Sequence, residues 1–179
     1  MSLNFKNVDM PKDMPEYVQP GFWTLAPISA ELIATGKTPY AKITFESDKG
    51  KLVEKFYLTE KSLPRLQYLH FALYGKRIEK DFTNDEFVTY LNTLFNKKNI
   101  PLNLKVGGEI GTDGKVYSRL VFNNFVIDAD NFEEGAFTEG SARYNEVVKK
   151  STYNGNSPQT DDVVLPGAPK NEAPFPWDE

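Results

Sequence analysis

Tyrosine and lysine alternate in "YAK" at 40–42 and in "KFY" at 55–57, and the pattern returns at Lys105 and in "KVYSR" at 115–119. In a β-strand, residues two apart share a face. Tyr40 and Lys42, Lys55 and Tyr57, and Tyr117 and Arg119 therefore come out on one side each. Flat rings stack on unpaired bases at roughly 1–3 kcal/mol per base, and Lys or Arg neutralises phosphate without reading sequence. With the loop residues Lys37 and Lys115, the candidate DNA-binding set is Lys37, Tyr40, Lys42, Lys55, Tyr57, Lys105, Lys115, Tyr117 and Arg119. The acid expected on this face is Glu46, at its margin.

Other chemistries find little support. The chain has no cysteine, which excludes disulfides, zinc–thiolate centres and thiol nucleophiles. Its single histidine, His70, lies inside a helical pattern and reads as a packing residue, whereas triads and most transition-metal sites need histidine in the site itself. No Asp/Glu pair has a spacing that implies acid–base work, and "GGEIGTDG" lacks the strand-to-helix order of a phosphate-binding glycine loop. The expectation is a binding protein, not an enzyme, with neither cofactor nor metal.

The elements that must position these residues follow from periodicity. "TPYAKITFES" alternates, with Ala41, Ile43 and Phe45 inward. "SDKGK" is a turn, and "KLVEKFYLT" returns with Leu52, Phe56 and Leu58 inward, which buries Glu54 at an opening or bulge. An earlier strand spans "GFWTLAPISAELI", where Trp23 reads as core. Two helices come next. The first repeats leucine at 63, 66, 69 and 73 and stops at Gly75, and the second opens on a Thr83–Glu86 capping box with a Phe82–Phe87 staple. Two further strands, with Leu102, Leu104 and Val106 and then Val116, Leu120 and Phe122 inward, meet across Asp113-Gly114. Gly107-Gly108 suggests a bulge.

Three strands, a helical segment and two strands is the order of an OB-fold, a five-stranded, partly open barrel that binds oligonucleotides or oligosaccharides. The fold class expected is mainly β with a helical insert between strands three and four. The expected organisation is an arm over 1–20, the OB domain over 21–130, an extension over 131–150 and a flexible acidic tail over 151–179. Charge divides along the same lines. Residues 37–127 hold fifteen Lys/Arg against ten Asp/Glu, a net of +5, while 128–179 hold four against eleven, a net of −7.

Strand order, the basic aromatic face and an acidic end closing on "APFPWDE" together resemble a bacteriophage-type single-stranded DNA-binding protein. The resemblance covers about 22–127 plus the tail. It implies sequence-indifferent binding of single-stranded DNA during replication, recombination or repair, in the host cytoplasm or nucleoid. It also implies a tail that recruits replication or recombination proteins and competes with DNA, which here would be the work of Asp161, Asp162, Glu172, Phe175, Trp177, Asp178 and Glu179. Bacterial tails end on Pro-Phe, whereas this sequence has Asp178 and Glu179 after Trp177. A homo-oligomer is compatible with the pattern. No apolar run is long enough to span a bilayer. The alternative is a β-barrel that meets other proteins, a virion or assembly adaptor that does not bind DNA.

Overall fold

The computed structural model describes residues 16–150; the expectations for the tail and for residues 1–15 lie outside them. Strand β2 (Tyr40–Ser47) buries Ala41, Ile43 and Phe45 completely, as its alternation requires. Strand β3 (Gly50–Tyr57) pairs with it in an unbroken antiparallel register from Ser47↔Gly50 to Tyr40↔Tyr57, sending Leu52, Glu54 and Phe56 inward. Strand β1 (Gly21–Ile33) is long and serves two neighbours in turn. Its first half pairs with β4 (Leu102–Ile110) and its second with β2, and the register shifts between Pro27 and Ser29, where a bulge bends the strand.

Between β3 and β4 the chain forms α1 (Leu63–Tyr74) and α2 (Asn84–Lys97). Pro64 occupies the first turn of α1, where its missing N–H costs nothing, and Gly75 closes the helix at φ 68°. The capping box of α2 is complete: Thr83 N–H donates to Glu86 Oε2 at 2.9 Å and Glu86 N–H to Thr83 Oγ1 at 3.3 Å. Inside α2, Asn92 reaches across to β1. It accepts from Ala30 N–H at 2.8 Å and donates to Ala30 O at 2.7 Å, taking the place of a missing strand neighbour.

Strand β5 (Val116–Leu120) returns from β4 through a turn in which Gly111 N–H bonds Lys115 O and Gly114 takes φ 76°. Asp113 keeps a negative φ, so the glycine alone supplies the left-handed residue. The strand stops at Leu120, two residues before Phe122, and rejoins the β4 ladder only at Val126, after Asn124 has turned through φ 52°. Gly107 and Gly108 are not a bulge: both sit in regular register with Arg119 and Ser118. They are small because neighbours press on them, a crossing segment at Gly107 and the adjacent strand at Gly108. A Cβ on Gly107 would meet Val147 O at 2.6 Å, and one on Gly108 would meet Val116 Cγ1 at 2.6 Å.

The crossing segment is 131–150, which adds β6 (Gly135–Ala136) against β1, then α3 (Ala142–Val147), then β7 (Val148–Lys150) parallel to β4. The whole is an open, mixed sheet of seven strands with the path β3-β2-β1-β4-β5, in place of the expected five-stranded barrel. No ladder joins β3 to β5. Side chains and a short segment fill that seam instead. Buried Glu54 accepts from Leu120 N–H at 2.7 Å, and Arg65 of α1 lies 3.4 Å from its other oxygen. Further along, Lys51 exchanges backbone bonds with Glu16 and Val18, while Ser118 Oγ donates to Val18 O at 2.5 Å. Val18 is thereby buried, tying the end of the expected arm into the core. Among the described residues, no helix is long and apolar enough to cross a membrane.

Candidate nucleic-acid interface

With Ala41, Ile43 and Phe45 fixed inside, the outer side of β2–β3 is settled residue by residue. Tyr40 stands opposite Tyr57 with ring centroids 5.6 Å apart, and in the next outward pair Lys42 stands opposite Lys55. Lys55 Nζ lies 5.0 Å from the centre of the Tyr40 ring, so each aromatic on this patch has a cation beside or above it. Lys37 is exposed in the loop between β1 and β2. Five of the nine candidates, Lys37, Tyr40, Lys42, Lys55 and Tyr57, thus belong to one end of the sheet.

The patch is less purely cationic than the sequence suggested. Glu31, directly opposite Lys42 on β1, is ion-paired with it. The hydrogen bond to Glu31 is the main reason the Lys42 ammonium titrates above its ordinary range, and the phenols of Tyr40 and Tyr17 push weakly the same way. Alternation places Glu31 outward only once the β1 bulge is known, and the bulge carries no sequence signal of its own here.

The remaining candidates are divided. Arg119 lies on β5 across the seam from Lys55, since each is the outward neighbour of a residue in the Glu54–Leu120 bond. Tyr117 is 45% exposed, but its ring leans over Gly111 and its hydroxyl donates to Asp113 Oδ2 at 2.7 Å. That bond raises the Tyr117 phenol and lowers the Asp113 carboxyl. Lys115 is exposed beside it on the hairpin. Lys105 is not open as expected. The segment 131–150 runs over β1 and β4, and Lys105 Nζ donates to Glu146 Oε1 at 2.8 Å, depressing that carboxyl. In the same way Glu134 takes Lys49 and the Thr24 N–H, and Phe22 is enclosed by Phe132 and Phe137.

Two residues join the patch that the sequence reading left out. Lys51 is the residue where the turn "SDKGK" gives way to the strand "KLVEKFYLT", and it shares parity with Val53, Lys55 and Tyr57. It stands opposite Glu46, and its Nζ lies 5.0 Å from the centre of the Tyr17 ring. Tyr17 came from a stretch without periodicity, so nothing local could place it. Trp23 is half-buried against the core, its Nε1 donating to Gln19 O at 2.7 Å. His70 is buried between Lys76 O at 2.7 Å and Tyr90 Oη at 2.8 Å, the packing role expected of it.

No family model, no curated protein and no solved structure matches this chain.

Proposed function

We propose that this protein binds single-stranded DNA without sequence preference, through the outer side of β2 and β3. The observation that carries the reading is the Lys42↔Lys55 pair beside the Tyr40–Tyr57 pair. Like charges directly opposite on a sheet cost stability, and among the described residues Glu31 pairs with Lys42 while no carboxylate pairs with Lys55. A phosphate chain passing over the pair would relieve that repulsion, while bases stack on the adjacent rings. Strand order, the bent β1 and the helices between β3 and β4 support an OB-fold opened at the β3–β5 seam. Binding along the β2–β3 face is the usual use of that fold, and the lysine and tyrosine pairs of that face support it here. The acidic tail, with Phe175 and Trp177, is proposed to recruit replication, recombination or repair proteins.

Fluorescence anisotropy with labelled dT30, a duplex competitor and a salt series tests the reading. Each lysine that meets a phosphate should add about 0.7 to the downward slope of log affinity against log salt. The double change Lys42→Glu, Lys55→Glu should abolish binding and lower the thermal midpoint somewhat, since it sets two acids opposite each other and beside Glu31, and a melt confirms that the variant is folded. Equal affinity for duplex and single strands would defeat the proposal and favour the protein adaptor. A chain ending at Asn154 tests the tail: tighter DNA binding on truncation is the expected result.

A further inference from the structure

Tyr17 is 57% exposed, the most open aromatic of the described large hydrophobic residues. A free phenol on an unpatterned segment would sweep many rotamers, and ordering it against a ligand would cost entropy. This one is held from both sides. Its residue bridges Lys51 in parallel fashion, with Lys51 N–H donating to Glu16 O at 2.9 Å and Val18 N–H to Lys51 O at 3.0 Å. On the other bank Ser118 Oγ bonds Val18 O, and the Val18 side chain is buried at 3% exposure. With Val18 inward, Tyr17 must face outward, on the side of Lys51, Lys55 and Tyr57. Lys51 Nζ over its ring repeats what Lys55 does over Tyr40.

From Lys51 to Tyr57 the outer side of β3 runs six residues, about 20 Å at 3.3 Å per residue. Tyr40 and Tyr57 lie at one end of this track and Tyr17 at the other, with Lys55 and Lys51 between. Charge complementarity selects a polyanion as the occupant, and flat rings at both ends select one with unpaired bases.

We propose that Tyr17, together with Lys51, is a second stacking platform for an unpaired base, so that a single strand lies along β3 from Tyr57 to Tyr17 across the head of the β3–β5 seam. This rests on the DNA-binding reading above and extends it to the path of the strand and to a residue of the N-terminal segment.

The full-length chain is compared with its Tyr17→Ala, Tyr17→Leu, Tyr17→Phe and Lys51→Met variants by anisotropy on dT20 and dT2. Tyr17→Ala and Tyr17→Leu should each weaken dT20 binding roughly 5- to 100-fold, the worth of one stacked base, and Tyr17→Phe should restore it. The salt slope should stay unchanged in all three, because a phenol neutralises no phosphate, whereas Lys51→Met should flatten it by about 0.7. On dT2, too short to engage both ends, Tyr17→Ala should cost less than on dT20. Thermal melts confirm that each variant is folded. Wild-type affinity in Tyr17→Ala and Tyr17→Leu, while Lys42→Glu, Lys55→Glu abolishes binding, overturns this inference and leaves the β2–β3 reading standing. No single-strand binding by the wild-type chain overturns both.

Discussion

Glu54 is a buried acid in a strand whose other inward residues are Leu52 and Phe56, and burying an unpaired carboxylate would be prohibitive. Its position becomes sensible once its two oxygens are followed to Leu120 N–H and to Arg65. Glu54→Ala leaves a mostly buried guanidinium and an amide unpaired and should cost about 3–5 kcal/mol in urea denaturation. Glu54→Gln keeps an acceptor for Leu120 N–H and should cost less, about 1–3 kcal/mol. A loss below about 0.5 kcal/mol for both would mean the seam does not depend on this residue. His70 gives a pH signature of its own. Burial holds its imidazole below the ordinary value; the carbonyl of Lys76 opposes this, and the Lys76 charge adds to it. A group held neutral in the folded state stabilises fully above its unfolded value near 6.5, and that stability falls away as pH drops through this range. The denaturation midpoint should therefore fall between pH 7 and pH 5, and His70→Gln should flatten that fall, because the chain has no second histidine to supply it.

At the scale of elements, what could be read in advance was whatever a single segment decides. Alternation in 40–47, the capping box at Thr83 and the Gly75 stop are local, and the backbone follows them. What could not be read was decided between segments. The β1 bulge exists because one strand must feed two partners, and it is what brings Glu31 against Lys42. The glycines of β4 suggested a bend in their own strand, but they answer to Val147 and Val116, far away in sequence or across a turn. The same logic applies to Asn92, a helix residue whose side chain serves the edge of a strand. Asn92→Ala strips both backbone groups of Ala30 of their partner and should cost about 2 kcal/mol or more, with faster amide exchange at Ala30. Asn92→Asp should be nearly as costly, since it keeps the acceptor and loses the donor. Unaltered exchange at Ala30 in both variants would show that water serves the strand edge equally well.

For the molecule as a whole, the split between basic body and acidic C-terminal part is repeated within the folded region. Glu134 and Glu146, both beyond residue 130, neutralise Lys49 and Lys105 of the body. The sequence identified the charge division, and only the packing of 131–150 over β1 and β4 shows that part of it is spent internally. Glu146→Gln should change stability by less than about 1 kcal/mol, because the carboxylate is largely exposed. If single strands cross β4, freeing Lys105 should tighten dT30 binding a few-fold and steepen the salt slope by about 0.7. An unchanged slope would confine the track to β2 and β3.

The seam between β3 and β5 also has a history in time. Its bond from Leu120 to Glu54 joins residues 66 apart. At a synthesis rate of about 5–20 residues per second, the strand edge carrying Glu54 leaves the ribosome roughly 3–13 s before the residue that will cover it. During that interval β1, β2 and β3 can already pair, since their turns are short and local, but β3 presents bare N–H and C=O groups beside an acid whose Leu120 partner has yet to emerge. A half-made chain of this protein therefore carries its own deterrent to association: an inward-pointing charged residue on the open strand disfavours edge-to-edge pairing until Leu120 arrives.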